Sequence, residues 1–369
     1  MPEVTILIMT GVHEGSETER LMASAREAIT QDLIERSQQV AGIHQIILST
    51  NAPGLAQWAA TRGVQVEPDP QGIPFHFGQR LRQLAERYHA ERLFYLGGGS
   101  GSLLTIAEMA DIVARVSLAD RILLSNNLYS TDFAAFSPAS VLHGLELPAI
   151  DNDLGWILSE RAGLPNEPLP AKSSTLFDVD TPTDLMVLGH HPCAGPHTRA
   201  LLDKLSLDSS HIAAALRVLM DRKAEVLVAG RASAGVWEYL ERTTMCRVRM
   251  LAEERGMRAS GRQARGEVRS LLGYHYQQVG PTQFFEHLAQ LGQAVFLDSR
   301  VLFAHLGVWP TASDRYNSDL RRPALIQNLA IREFTQQALD APVPVVLGGH
   351  SLVSGGMYAL VEAALAHSS

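Results

Sequence analysis

The sequence predicts two tandem three-layer α/β units with mostly parallel sheets, the first of them Rossmann-like. Three observations carry this expectation. Apolar runs alternate with helical stretches through the first half, the pattern of right-handed βαβ crossovers. The same rhythm resumes after a stretch of Gly, Pro and His near residue 190. At 369 residues, the chain is longer than one hydrophobic core usually supports.

In the first half, strands are expected at residues 4–10, 44–50, 64–68, 92–97 and 121–125. Helices are expected over residues 17–39, 54–61, 77–89 and 106–117. "STDFAAFSP" and "STLFDVD" read as two further strands, added antiparallel to the others. The first unit is therefore drawn over residues 1–190. A linker follows over 191–199, where "LGHHPCAGPHT" lacks periodicity and its histidines read as exposed. Residues 200–369 form the second, smaller unit. It opens with two short helices and continues with strands at "AEVLVAG", "CRVRMLAE", "QAVFLD" and "VPVVLGG". Helices are expected at "GVWEYLER", in a long region reaching about residue 291, near residues 324–339, and at "SGGMYALVEAALA". No repeat of solenoid period is visible.

Composition narrows the functional classes. Hydrophobic content of 46% with 19% charged residues is that of an ordinary globular protein. "MPEVTILIMTG" has no basic leader, and no apolar run reaches membrane length, so a membrane partner is not expected. Cys193 and Cys246 form no metal-ligand spacing, which suits a reducing, cytoplasmic setting. Residues 1–190 carry 12 basic and 23 acidic side chains, a net of −11, against 19 and 16, a net of +3, in the remainder. An acidic half beside a weakly basic one is a poor surface for nucleic acid, whose phosphates need neutralising cations. Self-association is left open by the sequence.

"TLFDVDTPTDLMVL", residues 175–188, ends an apolar run in D-x-D-T-P-x-D-L and turns into a helix. Together with the five-strand pattern, "PFHFGQRLRQLAE" and the "LLT" that opens the next helix, it resembles the MobA/CofC-like nucleotidyltransferases, which have a GT-A-type fold. The resemblance covers about residues 1–190. It implies binding of a nucleotide, nucleotide-sugar or other phosphorylated ligand, and Mg²⁺ as cofactor if the domain is catalytic. It also places a metal-holding carboxylate at Asp180, with Asp178 two residues before it. The motif has a purely structural reading as well: Thr181 caps a helix, Pro182 takes its first position and Asp184 completes a capping box.

Two departures from the family's pattern follow. In "LFYLGGGSGSLLT" the family's metal-binding Asp falls on Ser100 and its Pro on Ser102, and a neutral hydroxyl is a poor Mg²⁺ ligand. After the first strand, "MTGVHEGSETERLM" keeps Gly11 and Arg20 but interposes Glu14, Glu17 and Glu19, and the first lysine of the chain is Lys172. Acids beside a polyphosphate repel it. The glycine run can still present backbone amides to an anion, which nominates Gly98, Gly99 and Ser100 with Gly11 and Arg20 as ligand-binding residues. Tight sheet-to-helix packing is the alternative. The expectation is thus a binding domain that has lost metal-dependent transfer. An active transferase, or activity carried by the second unit, remains the alternative.

The second half resembles no family in its sequence. Three strand ends carry polar clusters, "GRAS", "LDSR" and "GGHS". Ligands of open parallel sheets bind outside the carboxyl ends of the strands. If these strands are neighbours, Arg231, Asp298, Arg300, His350 and Ser351 converge on a polar or anionic ligand. "ERGMRASGRQARGEVRS" spaces Arg258, Arg262, Arg265 and Arg269 as one helix face, and "WPTASDRYNSDLRRP" reads as a polar loop. G-H-S lacks the nucleophile-elbow pattern of a serine hydrolase.

Overall fold

The computed structural model describes residues 3–12, 15–70, 72 and 74–368. The chain forms two compact units, each made of three segments. The first comprises Met1–His13, Ala23–Asp178 and Gly195–Thr198, and the second Glu14–Met22, Val179–Ala194 and Arg199–Ser369.

In the first unit, β1 (Val4–Met9), β2 (Ile43–Thr50), β3 (Gln65–Pro68) and β4 (Leu93–Gly97) are parallel. β5 (Ile122–Ser125), β6 (Phe133–Ser137) and β7 (Asn166–Pro168) extend them to a seven-stranded sheet of order β3-β2-β1-β4-β6-β5-β7. β6 alone runs antiparallel to both of its neighbours. All six residues of β1 are buried, which is why it reads as a continuous apolar run rather than an alternating one. Helices α1 (Glu17–Ser37), whose residues up to Met22 lie in the second unit, α2 (Pro53–Ala60), α3 (Phe77–Arg87) and α4 (Ile106–Leu118) fall where the periodicity predicts them. In α3, Phe77, Leu81, Leu84 and Ala85 form the apolar stripe that packs with Leu7, Tyr95 and Phe136 in the core. Thr105 and Glu108 close a capping box at the start of α4.

One expected strand is absent. "STLFDVD" forms the single turn α6 (Ser173–Leu176) and then an irregular stretch, while β7, further upstream, pairs parallel with β5. The Thr175 hydroxyl donates to the Pro170 carbonyl at 2.6 Å and accepts the Lys172 amide at 3.3 Å. Such local side-chain bonds compete with a strand ladder. Before β7, α5 (Leu154–Trp156) runs on as a wider turn through Ile157–Arg161.

The second unit holds α7 (Pro182–His190), α8 (Pro196–Leu205), most of which lies in this unit, and α9 (Ser210–Leu219). Its sheet of β8 (Glu225–Gly230), β9 (Arg247–Ala252), β10 (Ala294–Asp298) and β11 (Val345–Gly348) is wholly parallel, in the order β11-β10-β8-β9. Between the strands lie α10 (Ala234–Thr243), α11 (Leu271–Leu291), α12 (Ser299–His305), α13 (Ala312–Asp319) and α14 (Leu329–Asp340), with α15 (Gly355–Ser368) last. Phe284, Phe285, Phe296, Phe303 and Phe334 are its largest fully buried side chains. No helix among the described residues is long and apolar enough to cross a membrane.

Four expectations for this half are corrected. The long helical region begins only at Leu271 and is broken at Gly280 (φ 75°), before Pro281; upstream, Gly256, Gly261 and Gly266 take left-handed φ of 71°, 72° and 68° and fold residues 253–270 into turns. The arginine row therefore does not form: Arg262 pairs with Glu254 at 2.8 Å and Arg265 with Glu267 at 2.7 Å. "WPTASDRYNSDLRRP" is largely α13, capped by Thr311, and Asp314 accepts the amides of Gln327 at 2.8 Å and Asn328 at 3.0 Å. His190 and His191 are not solvent-facing linker residues. His190 meets the Ser209 hydroxyl at 2.9 Å, and the buried His191 meets Glu362 at 3.0 Å.

Candidate functional site

The first sheet reverses its strand order between β1 and β4, because the chain runs outward from β1 to β3 on one side and then returns to β4 on the other. A doubly wound sheet opens a ligand crevice at the carboxyl ends of the strands flanking such a reversal. Met9 pairs with Gly97, so the loop after β1 and the glycine run after β4 lie side by side. A side chain at Gly98 would strike Thr10, and this close approach explains the glycine there.

The glycine run is a tight, well-tied turn. Ser100 is only 2% exposed. Its hydroxyl reaches the carbonyls of Gly97 at 3.0 Å and Asp132 at 3.1 Å, and its amide donates to Gly97 at 3.2 Å. Beneath it, Arg36 donates to the carbonyls of Ser102 at 2.7 Å and Leu104 at 3.1 Å. Ser100 thus builds the loop, while Gly98 and Gly99 are its half-buried part. Gly11 sits across from Asn51, which pins the β1 loop by bonding the amide and carbonyl of Val12 at 2.7 and 2.8 Å. Arg20 belongs to the second unit, where it donates to the Gly15 carbonyl at 2.5 Å. Lys172 pairs with Glu108, which also accepts from Ser174 at 2.7 Å.

Carboxylates that the sequence reading did not single out surround this edge. The Tyr95 hydroxyl donates to Asp151 at 2.8 Å, and Asn126 donates to Asp132 at 2.8 Å. Burial pushes the Tyr95 phenol well up, reinforced by the charges of Asp151, Asp132 and Asp178. A tyrosine in the middle of an apolar strand was their one sequence signal. The arrangement does not fit the Mg²⁺ centre that the family resemblance implies. Ser100 turns its hydroxyl into the carbonyls of Gly97 and Asp132, and no group of three or more His, Cys, Asp or Glu among the described residues is disposed to hold a metal ion.

In the second sheet the order reverses between β8 and β10. The strands carrying the three polar clusters are parallel neighbours, as convergence requires. Asp298, fully buried at the end of β10, grips Arg231 through Nε at 2.6 Å and Nη2 at 3.1 Å. Gly230, at φ 124°, has no room for a side chain because Asp298 lies against it. Arg300 is held by Asp319 through Nη1 at 2.7 Å and Nη2 at 2.5 Å, and Nη1 also donates to Ser299 at 2.9 Å. Burial opposes ionisation of Asp298, yet Arg231 holds its carboxyl below the usual range. Burial, then the charge of Arg231, lowers the His350 imidazole to about 4. Ser351, next along the β11 loop, is 6% exposed, and its carbonyl accepts the Gly356 amide at 2.7 Å.

The D-T-P-x-D motif forms the capping box its structural reading predicts. Thr181 caps α7, and Asp184 accepts from the Thr181 amide at 2.9 Å and hydroxyl at 2.8 Å. Asp184 is fully buried, and its Oδ1 has no hydrogen-bond partner among the described residues. Burial, with the charges of Asp180 and Asp319, pushes its carboxyl up to about 8.

No protein-family model matches the chain. No curated protein matches it either. Solved structures do. A protein from Desulfovibrio desulfuricans, assigned as a nucleotide-diphospho-sugar transferase, is 16% identical with a TM-score of 0.41, over 56% of this chain and 96% of that one. A cytidylyltransferase from Leptospira borgpetersenii is 15% identical with a TM-score of 0.40, over 56% and 96%. A CMP:2-keto-3-deoxy-manno-octonic acid synthetase in complex with CTP is 16% identical with a TM-score of 0.35, over 55% and 99%.

Proposed function

We propose that the first unit binds a nucleotide, nucleotide-sugar or other phosphorylated ligand at the carboxyl edge of β1 and β4, without metal-dependent transfer. The observation that carries this reading is the coincidence of the strand-order reversal with the glycine turn, packed at Gly98 directly on Thr10. Backbone amides in such a turn are the phosphate-facing group where lysines are lacking. The donor set supports binding over transfer, because the position that the resemblance gives to a metal-holding carboxylate is occupied by the buried Ser100. The ligand is a small molecule rather than nucleic acid, given the acidity of the first half. Two free cysteines, one of them exposed, suit a cytoplasmic setting.

Thermal-shift melting of the full chain against nucleoside triphosphates and nucleotide-sugars, with and without Mg²⁺, tests the reading. The expected result is metal-independent stabilisation by one ligand class. Mg²⁺-dependent pyrophosphate release that disappears in Asp178→Ala or Asp180→Ala would replace it with the active transferase.

A further inference from the structure

Cations at the carboxyl edge of the second sheet outnumber their partners. The Arg231–Asp298 and Arg300–Asp319 pairs neutralise each other. Around them the turns after β9 begin beside Arg231, because the Glu253 amide donates to the Gly230 carbonyl at 2.9 Å, and they carry the exposed Arg255 and Arg258. None of Arg255, Arg258 and Arg315 forms an ion pair among the described residues. Arg315 donates to the Pro310 carbonyl and lies 5.0 Å from the Trp309 ring centroid. The acids that face them are the exposed Asp180, the half-buried Glu253, which accepts from the Ser270 hydroxyl at 2.5 Å and the Leu271 amide at 3.0 Å, and the buried Asp184, whose carboxyl burial pushes up to about 8.

Arg231 has the geometry of an oriented ligand-binding guanidinium. Asp298 takes its Nε–Nη2 edge, and no hydrogen bond within the described residues uses Nη1. The Nη1–Nη2 edge is therefore held in a fixed direction and left for a second oxyanion, a match for two phosphoryl oxygens. The side chain is 11% exposed and lies at the reversal point between β8 and β10, where a ligand of a parallel sheet is expected.

We propose that the second unit carries its own anion site, in which Arg231 and Arg255, beside His350, bind the phosphoryl group of a small phosphorylated molecule, with Arg258 and Arg315 adding to the field. Asp298 is a positioning residue: it fixes the guanidinium and does not meet the ligand. Arg300 has both Nη atoms on Asp319 and supports the loop. The site uses only residues of the second unit and stands independently of the reading for the first.

The test is calorimetric titration of the full chain with inorganic phosphate in a buffer free of other multivalent anions. Phosphate is expected to bind in the millimolar range or tighter. The double variant Arg255→Ser/Arg258→Ser removes two exposed, unpaired side chains, so the fold stays intact, and affinity is expected to fall about tenfold or more. Arg231→Lys keeps the charge, loses the fork and is expected to weaken binding comparably. Arg242→Ser, at the far end of α10 and paired only with Glu238 among the described residues, is expected to leave it unchanged. No phosphate binding, affinity unchanged in the double variant, or an equal loss in Arg242→Ser would overturn the site. Succinate binding as tightly as phosphate would overturn the phosphoryl assignment.

Discussion

Replacing Asp184 by Asn is expected to change how stability depends on pH. Asp184 is fully buried, its Oδ2 accepts twice from Thr181, and its carboxyl titrates at about 8 rather than 3.8. A group whose folded-state pKa is raised holds its proton in the folded chain after the unfolded chain has lost it. Between pH 4 and 8 the wild type should therefore lose stability as pH rises, by up to about 1.4 kcal/mol per pH unit from this group. Over pH 5 to 8 that amounts to about 4 kcal/mol at most, before relaxation of the site reduces it. Asn keeps the carbonyl that accepts from Thr181 and cannot ionise. Near pH 5 the variant should lie within about 1–2 kcal/mol of wild type, the cost of a buried amide without a partner. Above pH 8 it should be the more stable protein. Urea unfolding at each pH unit from 5 to 9 measures the difference, with Trp237 and Trp309 reporting on the second unit. Buried histidines tilt both proteins alike, so the difference curve isolates Asp184. Parallel curves for variant and wild type would refute the reasoning.

Three further predictions concern single groups. Asp298→Ala strips the carboxylate from Arg231 and should destabilise the second unit by about 3–5 kcal/mol in urea unfolding at pH 7, because a partly buried guanidinium is left unpaired. His211 has no hydrogen-bond partner among the described residues on either buried ring nitrogen, and burial lowers it to about 3. The unfolded chain therefore takes up a proton below about pH 6.5 that the folded chain refuses, and His211→Gln should flatten the loss of melting temperature between pH 6.5 and 4. Gly98→Val places branched carbons against Thr10 and should abolish ligand-induced stabilisation of the first unit. It should also cost about 1–3 kcal/mol of stability through overpacking, seen as a lower melting temperature without ligand.

The α/β class, the positions of nearly all strands along the chain and the four main helices of the first unit were determined by local pattern alone. β1 and β4 are apolar throughout because parallel strands are covered on both faces, and α3 shows its stripe because one side faces the core. The capping box at Thr181–Asp184 was legible for the same reason, since its partners lie three residues apart. Local pattern failed where side chains outbid it. Thr175 bonds its own backbone and replaces a strand by a turn, and three left-handed glycines dissolve a helix that its arginine spacing suggested. The strand order was decided only in three dimensions, because hydrogen bonding between strands distant in the chain leaves no periodic trace in either of them. It is that order which sets Gly97 beside Met9 and Arg231 against Asp298. The half-buried Asp132 and Asp151 and the buried Asp319 owe their importance to the same order, for a carboxylate acquires its environment from what the fold packs around it.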